Sequence, residues 1–205
     1  AATSAPQTPT SLPSWVDEQV AQALLSQADD PQVASILADA RALGEMDEHL
    51  AAKLLKLAAN DPAARPFVAG FRASYPGAKA GGLTESDLAG DGEIPLFMQW
   101  DTRWGYMEYI DGPMGTKGCC PTCLSMVYAG FSGRCDMSPY IVSRLATESG
   151  LCDAEGGTYG EFVGYFAQRV GLEYAEVVDF DAACACLNDN WALVCNLGTG
   201  EFTDV

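Results

Sequence analysis

The sequence predicts an α+β fold in which a helical subdomain precedes a mixed domain. Residues 14–76 carry apolar side chains at helical spacing, and residues 77–93 are rich in Gly and Asp, as in a linker. Residues 94–205 combine further helical patterns with short apolar runs bounded by turn residues, which are typical of strands. Because helices come first and helices and strands mix afterwards, the pattern indicates α+β. Residues 1–13 are small, polar and proline-bearing and are expected to form a disordered tail.

Capping signals mark the expected helix starts in the first part. Ser14 followed by Asp17 resembles a capping box, so a first helix is expected to begin there. Two Asp-Pro pairs place a capping carboxylate before a proline that suits the first helical turn, and they predict a second and a fourth helix: Asp30-Pro31 and Asp61-Pro62. Gly44 is expected to end the second helix, and a third is predicted over residues 46–59.

Residues 118–131 predict a buried helix in the second part. Pro121 fits its first turn, and apolar residues follow at helical spacing: Leu124, Val127, Tyr128 and Phe131. Further helices are expected from Ser138-Pro139 to Ser149, from Thr158 to Val170, and from Asp181. Two apolar runs, Leu172 to Val178 and Trp191 to Leu197, predict strands of a sheet against which the helix of residues 118–131 packs.

The composition excludes several classes of function. The 205 residues carry 11 basic and 28 acidic side chains, a formal net charge of −17, whereas binding of nucleic-acid phosphates needs a basic surface. No uninterrupted apolar run reaches the roughly 18 residues of a membrane span. His49 is the single histidine, so this chain alone cannot build a site of several imidazoles. Neither nucleic acid nor a membrane span is therefore expected.

The eight cysteines all follow residue 118 and allow several interpretations: Cys119, Cys120, Cys123, Cys135, Cys152, Cys184, Cys186 and Cys195. An even number in a secreted protein suggests disulfides, but three thiols within five residues fit a dispersed disulfide framework poorly. Cys120-x-x-Cys123 with Cys184-x-Cys186 is a candidate zinc site, although the second spacing is unusual. Cys120-x-x-Cys123 is also a candidate redox dithiol, without a thioredoxin-like βαβ pattern around it.

Cys119 is the strongest candidate for a catalytic group. It lies immediately before the helix that Pro121 starts, and the N–H groups and the dipole at a helix N-terminus stabilise a thiolate. A thiolate in this position is the nucleophile of papain-like enzymes, and its own backbone N–H helps to hold the oxyanion of the tetrahedral intermediate.

Three motifs follow one another in residues 94–133. Pro95-Leu96-Phe97-Met98-Gln99 precedes Asp101-Thr102-Arg103-Trp104-Gly105, and Gly118-Cys119-Cys120-Pro121-Thr122-Cys123-Leu124-Ser125-Met126-Val127 comes next. Further on stand Gly156-Gly157-Thr158 and Asn196-Leu197-Gly198-x-Gly200-x-Phe202-Thr203. With these motifs, residues 94–205 resemble the bacterial double-glycine-peptidase-like cysteine peptidases, which have a papain-like fold.

The resemblance implies a role for two residues and implies no metal or organic cofactor. The first cysteine of the Gly-Cys-x-Pro-Thr run is the nucleophile, which is Cys119. Gln99 is the candidate oxyanion donor by analogy with the upstream glutamine of papain-like sites, and a structural role in tying the chain before it is the alternative. Cys120 replaces the glycine that is usual in the family, which adds a Cβ and a second thiol beside the nucleophile.

The general base of such a peptidase is not evident in this chain. The family has its histidine in a Gly-His-Phe stretch after the Phe-Thr motif, whereas the sequence ends at Asp204-Val205, and His49 is expected on a helix surface. The base is therefore expected on a missing or separate C-terminal segment, through cleavage or truncation. The alternative is a non-catalytic cell-wall or protein-binding module with a degenerate peptidase fold. A peptide or protein substrate and a secreted or cell-surface location are expected, since the proline-bearing start resembles the residues that follow a removed secretion signal.

Overall fold

A computed structural model of the chain describes residues 11–90 and 92–197. The fold is mixed and mostly helical, with two small antiparallel sheets in the described residues, which agrees with an α+β class in this coarse form. The chain divides into two compact units, one up to Tyr75 and one from Pro76 onward. Most of the predicted tail, residues 1–10, lies outside the described residues.

The first unit consists of four helices: α1 (Glu18–Leu25), α2 (Pro31–Met46), α3 (Glu48–Asn60) and α4 (Arg65–Ser74). A 3₁₀ turn, Pro62–Ala64, leads into α4. Aspartate side chains accept hydrogen bonds from the first free N–H groups of α1, α2, α3 and the 3₁₀ turn: Asp17, Asp30, Asp47 and Asp61. Asp30-Pro31 therefore predicted the start of α2 correctly, because such a cap depends only on residues next to it in sequence. Asp61-Pro62 begins the 3₁₀ turn, and the fourth helix starts three residues later, at Arg65.

Two expectations for the first unit were wrong, and the predicted third helix is confirmed with a start two residues later. Asp17 is itself the cap of α1, so Ser14 does not begin a capping box. Gly44 does not end α2, which continues to Met46. A Cβ on Gly44 would lie 2.4 Å from a ring atom of Trp15, so the glycine permits close packing of the indole instead of a helix stop. The third helix begins after Asp47, and Met46 is an exposed residue at the end of α2.

The core of the first unit is apolar except for one arginine. The largest buried side chains come from all four helices: Leu24, Val33, Ile36, Leu37, Leu54, Leu55, Phe67 and Phe71. Arg65, 6 % exposed, donates hydrogen bonds to the carboxylate of Asp30, the side-chain oxygen of Gln27 and the carbonyl of Ala58 at 2.9, 2.7 and 3.2 Å. The guanidinium thus keeps its polar atoms paired where α4 begins.

The second unit holds the remaining elements. Its helices are α5 (Met114–Lys117), α6 (Cys119–Ser132), α7 (Pro139–Ser149), α8 (Glu161–Val170) and α9 (Phe180–Asn188). Its strands are β1 (Glu108–Tyr109) with β2 (Gly112–Pro113), and β3 (Cys152–Asp153) with β4 (Gly157–Thr158), each pair antiparallel. The Ser138-Pro139 signal correctly predicted α7, whereas Gly157–Thr158 forms a strand and α8 begins only at Glu161.

The core of the second unit forms around α6, α7 and α8. It contains Trp104, Met114, Leu124, Tyr128, Val142, Phe162 and Phe166, among other apolar side chains. The expected linker, residues 77–93, belongs to this unit: the N–H groups of Gly77 and Gly81 donate to the carbonyls of Tyr106 and Arg103, and Leu83 joins the core.

The strands predicted at Leu172–Val178 and Trp191–Leu197 are not present. Both runs are irregular, and within the described residues no partner strand pairs with either of them. An apolar run becomes a strand only where a neighbour completes its hydrogen-bond ladder. The expected sheet therefore does not cover α6, and Phe131, predicted to be buried, is 49 % exposed.

The helices of residues 11–90 and 92–197 were also compared with the dimensions of a bilayer. Not one of them combines the length and the apolar character that crossing a membrane requires.

Candidate functional site

A chain of hydrogen bonds holds residues 98–105 against the turn that precedes α6. The indole N–H of Trp104, which is fully buried, donates to the carbonyl of Met98 at 2.9 Å. The side-chain amide of Gln99, half-buried, donates to the carbonyl of Gly115 in α5 at 3.0 Å. The N–H of Gly115 donates in turn to the carbonyl of Gly105 at 2.9 Å. Gln99 is thereby fixed to the short helix that runs directly into α6.

Arg103 joins two acidic residues next to this chain. Its guanidinium donates to both oxygens of Asp87 at 2.8 Å and to the carboxylate of Asp101 at 2.8–3.2 Å, and it stacks on the Trp104 ring with 4.5 Å to the centroid. Hydrogen bonds from Arg103 hold the pKa of Asp87 below its usual value, while the bonds to Asp101 and then to Asp87 raise the pKa of Arg103. The Asp-x-Arg-Trp-Gly motif therefore serves to anchor the backbone around Gln99.

The start of α6 is built around Gly118. Its carbonyl accepts the N–H of Thr122 at 3.0 Å and the hydroxyl of Thr122, a buried side chain, at 2.7 Å. Its N–H donates to the carbonyl of Met114 at 2.8 Å. A Cβ on Gly118 would lie 2.5 Å from the side chain of Met114 and 2.7 Å from that same carbonyl. Glycine avoids this clash, and the turn leaves the first residue of α6 exposed.

Cys119 is the first residue of α6 and is exposed. Its neighbour Cys120 lies half-buried against the core of the second unit, and burial raises the pKa of its thiol to about 12. Part of Cys123 reaches solvent, but burial of the rest, with the thiols of Cys119 and Cys195 nearby, raises its pKa. Of the three thiols on the first turns of α6, Cys119 is the exposed one at the helix N-terminus.

All eight cysteines fall within the described residues, and each is a free thiol. In the described part of the chain, His, Cys, Asp and Glu form no group of three or more that could hold a metal ion. The four cysteines considered for zinc are therefore not gathered into one site.

The single histidine is remote in sequence and belongs to the other unit. His49 is exposed in the first turn of α3, where its N–H donates to the capping Asp47. The second unit contains no histidine anywhere in its sequence. Cys119 and Gln99 are thus connected through the α5 turn, while no imidazole belongs to the unit that carries them.

The Gly156-Gly157-Thr158 motif also makes a contact in the second unit. Thr158 of the Gly-Gly-Thr motif lies 2.7 Å, oxygen to oxygen, from the hydroxyl of Tyr109, which joins β4 to β1. Burial raises the pKa of Tyr109, so the group stays a neutral hydrogen-bonding phenol. Residues 198–203 of the last motif lie outside the described residues.

Sequence reasoning overlooked Gly118, Thr122 and Met114 as residues that position Cys119. The first two were quoted only as letters of a motif, although Gly before and Thr three residues after the cysteine are a detectable signal for a tight helix start. Met114 carries no local signal, because its contact with Gly118 depends on how α5 folds back.

A ridge of four side chains runs along α6, beginning at Cys119. Cys119, Cys123, Val127 and Phe131 follow one another at intervals of four, and such residues form one row on a helix surface. Beside Val127 and Phe131 lies an open cavity of about 250 Å³, whose other walls are two irregular stretches, residues 172–173 and 189–192. The ridge therefore joins an exposed thiol to an apolar cavity.

Comparisons with known proteins complete the description of the site. Protein-family models, curated proteins and solved structures were compared with the chain, and none of them matches it. The resemblance of residues 94–205 to a peptidase family therefore rests on the motif residues alone and stays a prediction.

Proposed function

We propose that this chain carries the nucleophile half of a secreted or cell-surface cysteine peptidase with a papain-like arrangement around α6. The observation that supports this proposal is the difference in burial between two adjacent thiols. Cys119 is exposed as the first residue of α6, while Cys120 faces the core and its pKa is raised to about 12. A helix start favours a negative charge, and this position supports Cys119 rather than the core-facing Cys120 as the nucleophile.

The chemistry follows from these positions. The Cys119 thiolate attacks the carbonyl carbon of a peptide bond, a C–S bond forms, and the carbonyl electron pair moves onto oxygen. The backbone N–H of Cys119 donates to that oxyanion, and Gln99, held beside α5 by Gly115, is the second candidate donor. Collapse of the intermediate breaks the C–N bond and leaves an acyl-enzyme, which water hydrolyses.

A general base must take the thiol proton and return it to the leaving amine. We assign this role to a histidine on a complementary C-terminal segment, as the family pattern implies. The chain by itself is then expected to hold the Cys119 thiol in position without hydrolysing a peptide.

Site-resolved alkylation tests the nucleophile without the missing base. Iodoacetamide is applied at about pH 6, where an ordinary thiol is almost entirely protonated, and each cysteine is followed by peptide mass spectrometry. Cys195 is the internal control, since it is exposed in the same unit. We expect Cys119 to be labelled first. Equal rates for Cys119 and Cys195 would remove the reason for calling Cys119 a nucleophile.

A binding module with a degenerate site is the second candidate function. It is favoured by the absence of histidine from the sequence of the second unit and by the open cavity beside α6. In that case Cys119 reacts like any exposed thiol, and the cavity still binds its partner. The alkylation experiment therefore separates the two functions.

A further inference from the structure

The cavity beside the C-terminal half of α6 has apolar walls and an acidic rim. Val127 and Phe131 of α6 and Trp191 line a space of about 250 Å³, and Glu173 and Asp189 are among its other lining residues. An aromatic and aliphatic pocket of this size with two carboxylates is suited to an apolar side chain next to a positive charge.

The segment between the two irregular stretches that line the cavity exposes apolar side chains. α9 has no buried residue, although its sequence is largely hydrophobic. Val178, Phe180 and Leu187 are 89 %, 81 % and 55 % exposed. Large exposed apolar side chains near a cavity favour an interaction site.

The backbone next to the cavity is ready to pair with an extended chain. Residues 173–178 and 192–197 make no backbone–backbone hydrogen bond within the described part of the molecule. Backbone N–H and C=O groups without such a bond are the groups to which an added strand binds.

The charge of this surface selects the partner. Residues 172–197 carry five carboxylates and not one lysine or arginine: Glu173, Glu176, Asp179, Asp181 and Asp189. A second copy of this chain would bring the same carboxylates to the contact, which like-charge repulsion disfavours. A basic partner instead gains attraction at Glu173 and Asp189, which line the cavity.

We propose that the groove formed by Val127, Phe131, Trp191 and the acidic rim is a docking site for an extended peptide segment in which apolar and basic residues alternate. The apolar side chains enter the cavity, the basic ones face Glu173 and Asp189, and the backbone pairs with residues 192–197. Binding does not involve the Cys119 sulfur, so this inference stands apart from the proposed peptidase activity.

Three synthetic peptides test the docking site on the full chain. One alternates leucine and lysine, which places its apolar and basic side chains on opposite faces of an extended strand. The second alternates leucine and glutamate, and the third alternates serine and lysine. Calorimetry and Trp191 fluorescence report binding, with Trp191→Phe as the control for the optical signal. We expect only the leucine–lysine peptide to bind, and added salt to weaken it.

Variants locate the site. Glu173→Gln and Asp189→Asn are each expected to weaken binding by about two- to fivefold, as for a partly exposed charge pair. Glu155→Gln, an exposed carboxylate outside the cavity, is the matched control and leaves the affinity unchanged. Phe131→Ser weakens binding by removing a wall, and its half-exposed position keeps the fold intact. Cys119→Ala binds as the wild type does, whatever the outcome of the alkylation experiment.

Several results would overturn the proposal. Equal binding of the leucine–lysine and leucine–glutamate peptides would show that the carboxylates select nothing. Unchanged affinity in Phe131→Ser together with both charge variants would place any binding elsewhere. Analytical ultracentrifugation that detects a dimer, lost in Phe131→Ser and displaced by peptide, would assign this face to a second copy instead.

Discussion

The placement of Cys119 depends on a single glycine, which makes Gly118→Ala the sharpest perturbation of the site. The added Cβ would lie 2.5 Å from the Met114 side chain and 2.7 Å from the Met114 carbonyl. The thioether end can rotate away, but the carbonyl is backbone and must move by about 0.7 Å to reach the 3.4 Å of an ordinary contact. The α5 turn and the first turn of α6 therefore have to separate.

We expect Gly118→Ala to lower the free energy of unfolding by about 1–3 kcal/mol, the usual cost of overpacking. Backbone strain does not contribute, since φ at Gly118 is −92°, which alanine adopts freely. Gly160→Ala is the matched control, because Gly160 also precedes a helix and a Cβ there meets nothing within 4 Å. Comparison with Gly160→Ala separates the clash with Met114 from the general effect of replacing a glycine that precedes a helix.

Two assays read the result. Urea unfolding followed by tryptophan fluorescence measures the stability, and three of the four tryptophans lie in the second unit. Iodoacetamide labelling of Cys119, normalised to Cys195 in the same sample, measures the position of the thiol. Gly118→Ala is expected to slow this labelling and Gly160→Ala to leave it unchanged. Identical stability and identical labelling in the two variants would refute the argument that Gly118 sets the start of α6.

Three further outcomes follow from paired polar groups. Arg65→Ala is expected to lower the free energy of unfolding by about 2–4 kcal/mol in urea, because Asp30, Gln27 and the Ala58 carbonyl each lose the donor that the buried guanidinium supplies. Trp104→Phe is expected to lower it by about 1–3 kcal/mol, since a fully buried side chain becomes smaller and the Met98 carbonyl keeps only the N–H of Asp101 as a donor. The lowered pKa of Asp87 contributes stability that is present above its unfolded value of about 3.9 and is lost as the pH falls through the folded pKa. Urea midpoints of Asp87→Asn are therefore expected to fall less than those of the wild type on acidification.

Each of these outcomes has a result that contradicts it. A Trp104→Phe protein as stable as the wild type would mean that the Met98 contact is dispensable. Arg65→Ala without loss would show that solvent replaces the arginine's partners at no cost. Parallel acid sensitivity in Asp87→Asn and the wild type would assign the acid-labile group to another carboxylate.

Features that depend on neighbouring residues in sequence could be predicted, and features that depend on distant contacts could not. Asp30 and Asp61 were recognised as helix caps because a cap involves only the next two or three residues. Gly44 was misassigned because Trp15, which lies against it, comes from a distant part of the sequence. The same difference explains why α7 was predicted well and the start of α8 was not.

The strands at 172–178 and 191–197 failed for a related reason. Apolar character marks a run as able to be buried, but it does not supply the neighbouring strand that makes it regular. At the candidate site, the position of Cys119 next to a helix start could be predicted from Pro121. That Cys120 turns inward could not, because it depends on how α6 faces the core.

The ridge on α6 connects the proposed nucleophile with the proposed docking groove and leads to a final prediction. Cys119 and Phe131 are twelve residues apart, which corresponds to about 18 Å along the helix axis. An extended peptide advances about 3.3 Å per residue, so about five or six residues span that distance. A leucine–lysine peptide that carries a chloroacetyl group should therefore alkylate Cys119 fastest with a spacer of about this length.

A series of spacer lengths distinguishes tethered from random reaction. Docking raises the effective concentration of the chloroacetyl group only where the peptide reaches, so the rate at Cys119 should pass through a maximum with spacer length. Glu173→Gln lowers this maximum without changing the rate with free chloroacetamide, since Glu173 lines the groove and not the thiol. If the rate at Cys119 does not vary with spacer length, the groove and the thiol do not act on one bound peptide, and the two sites are separate features of α6.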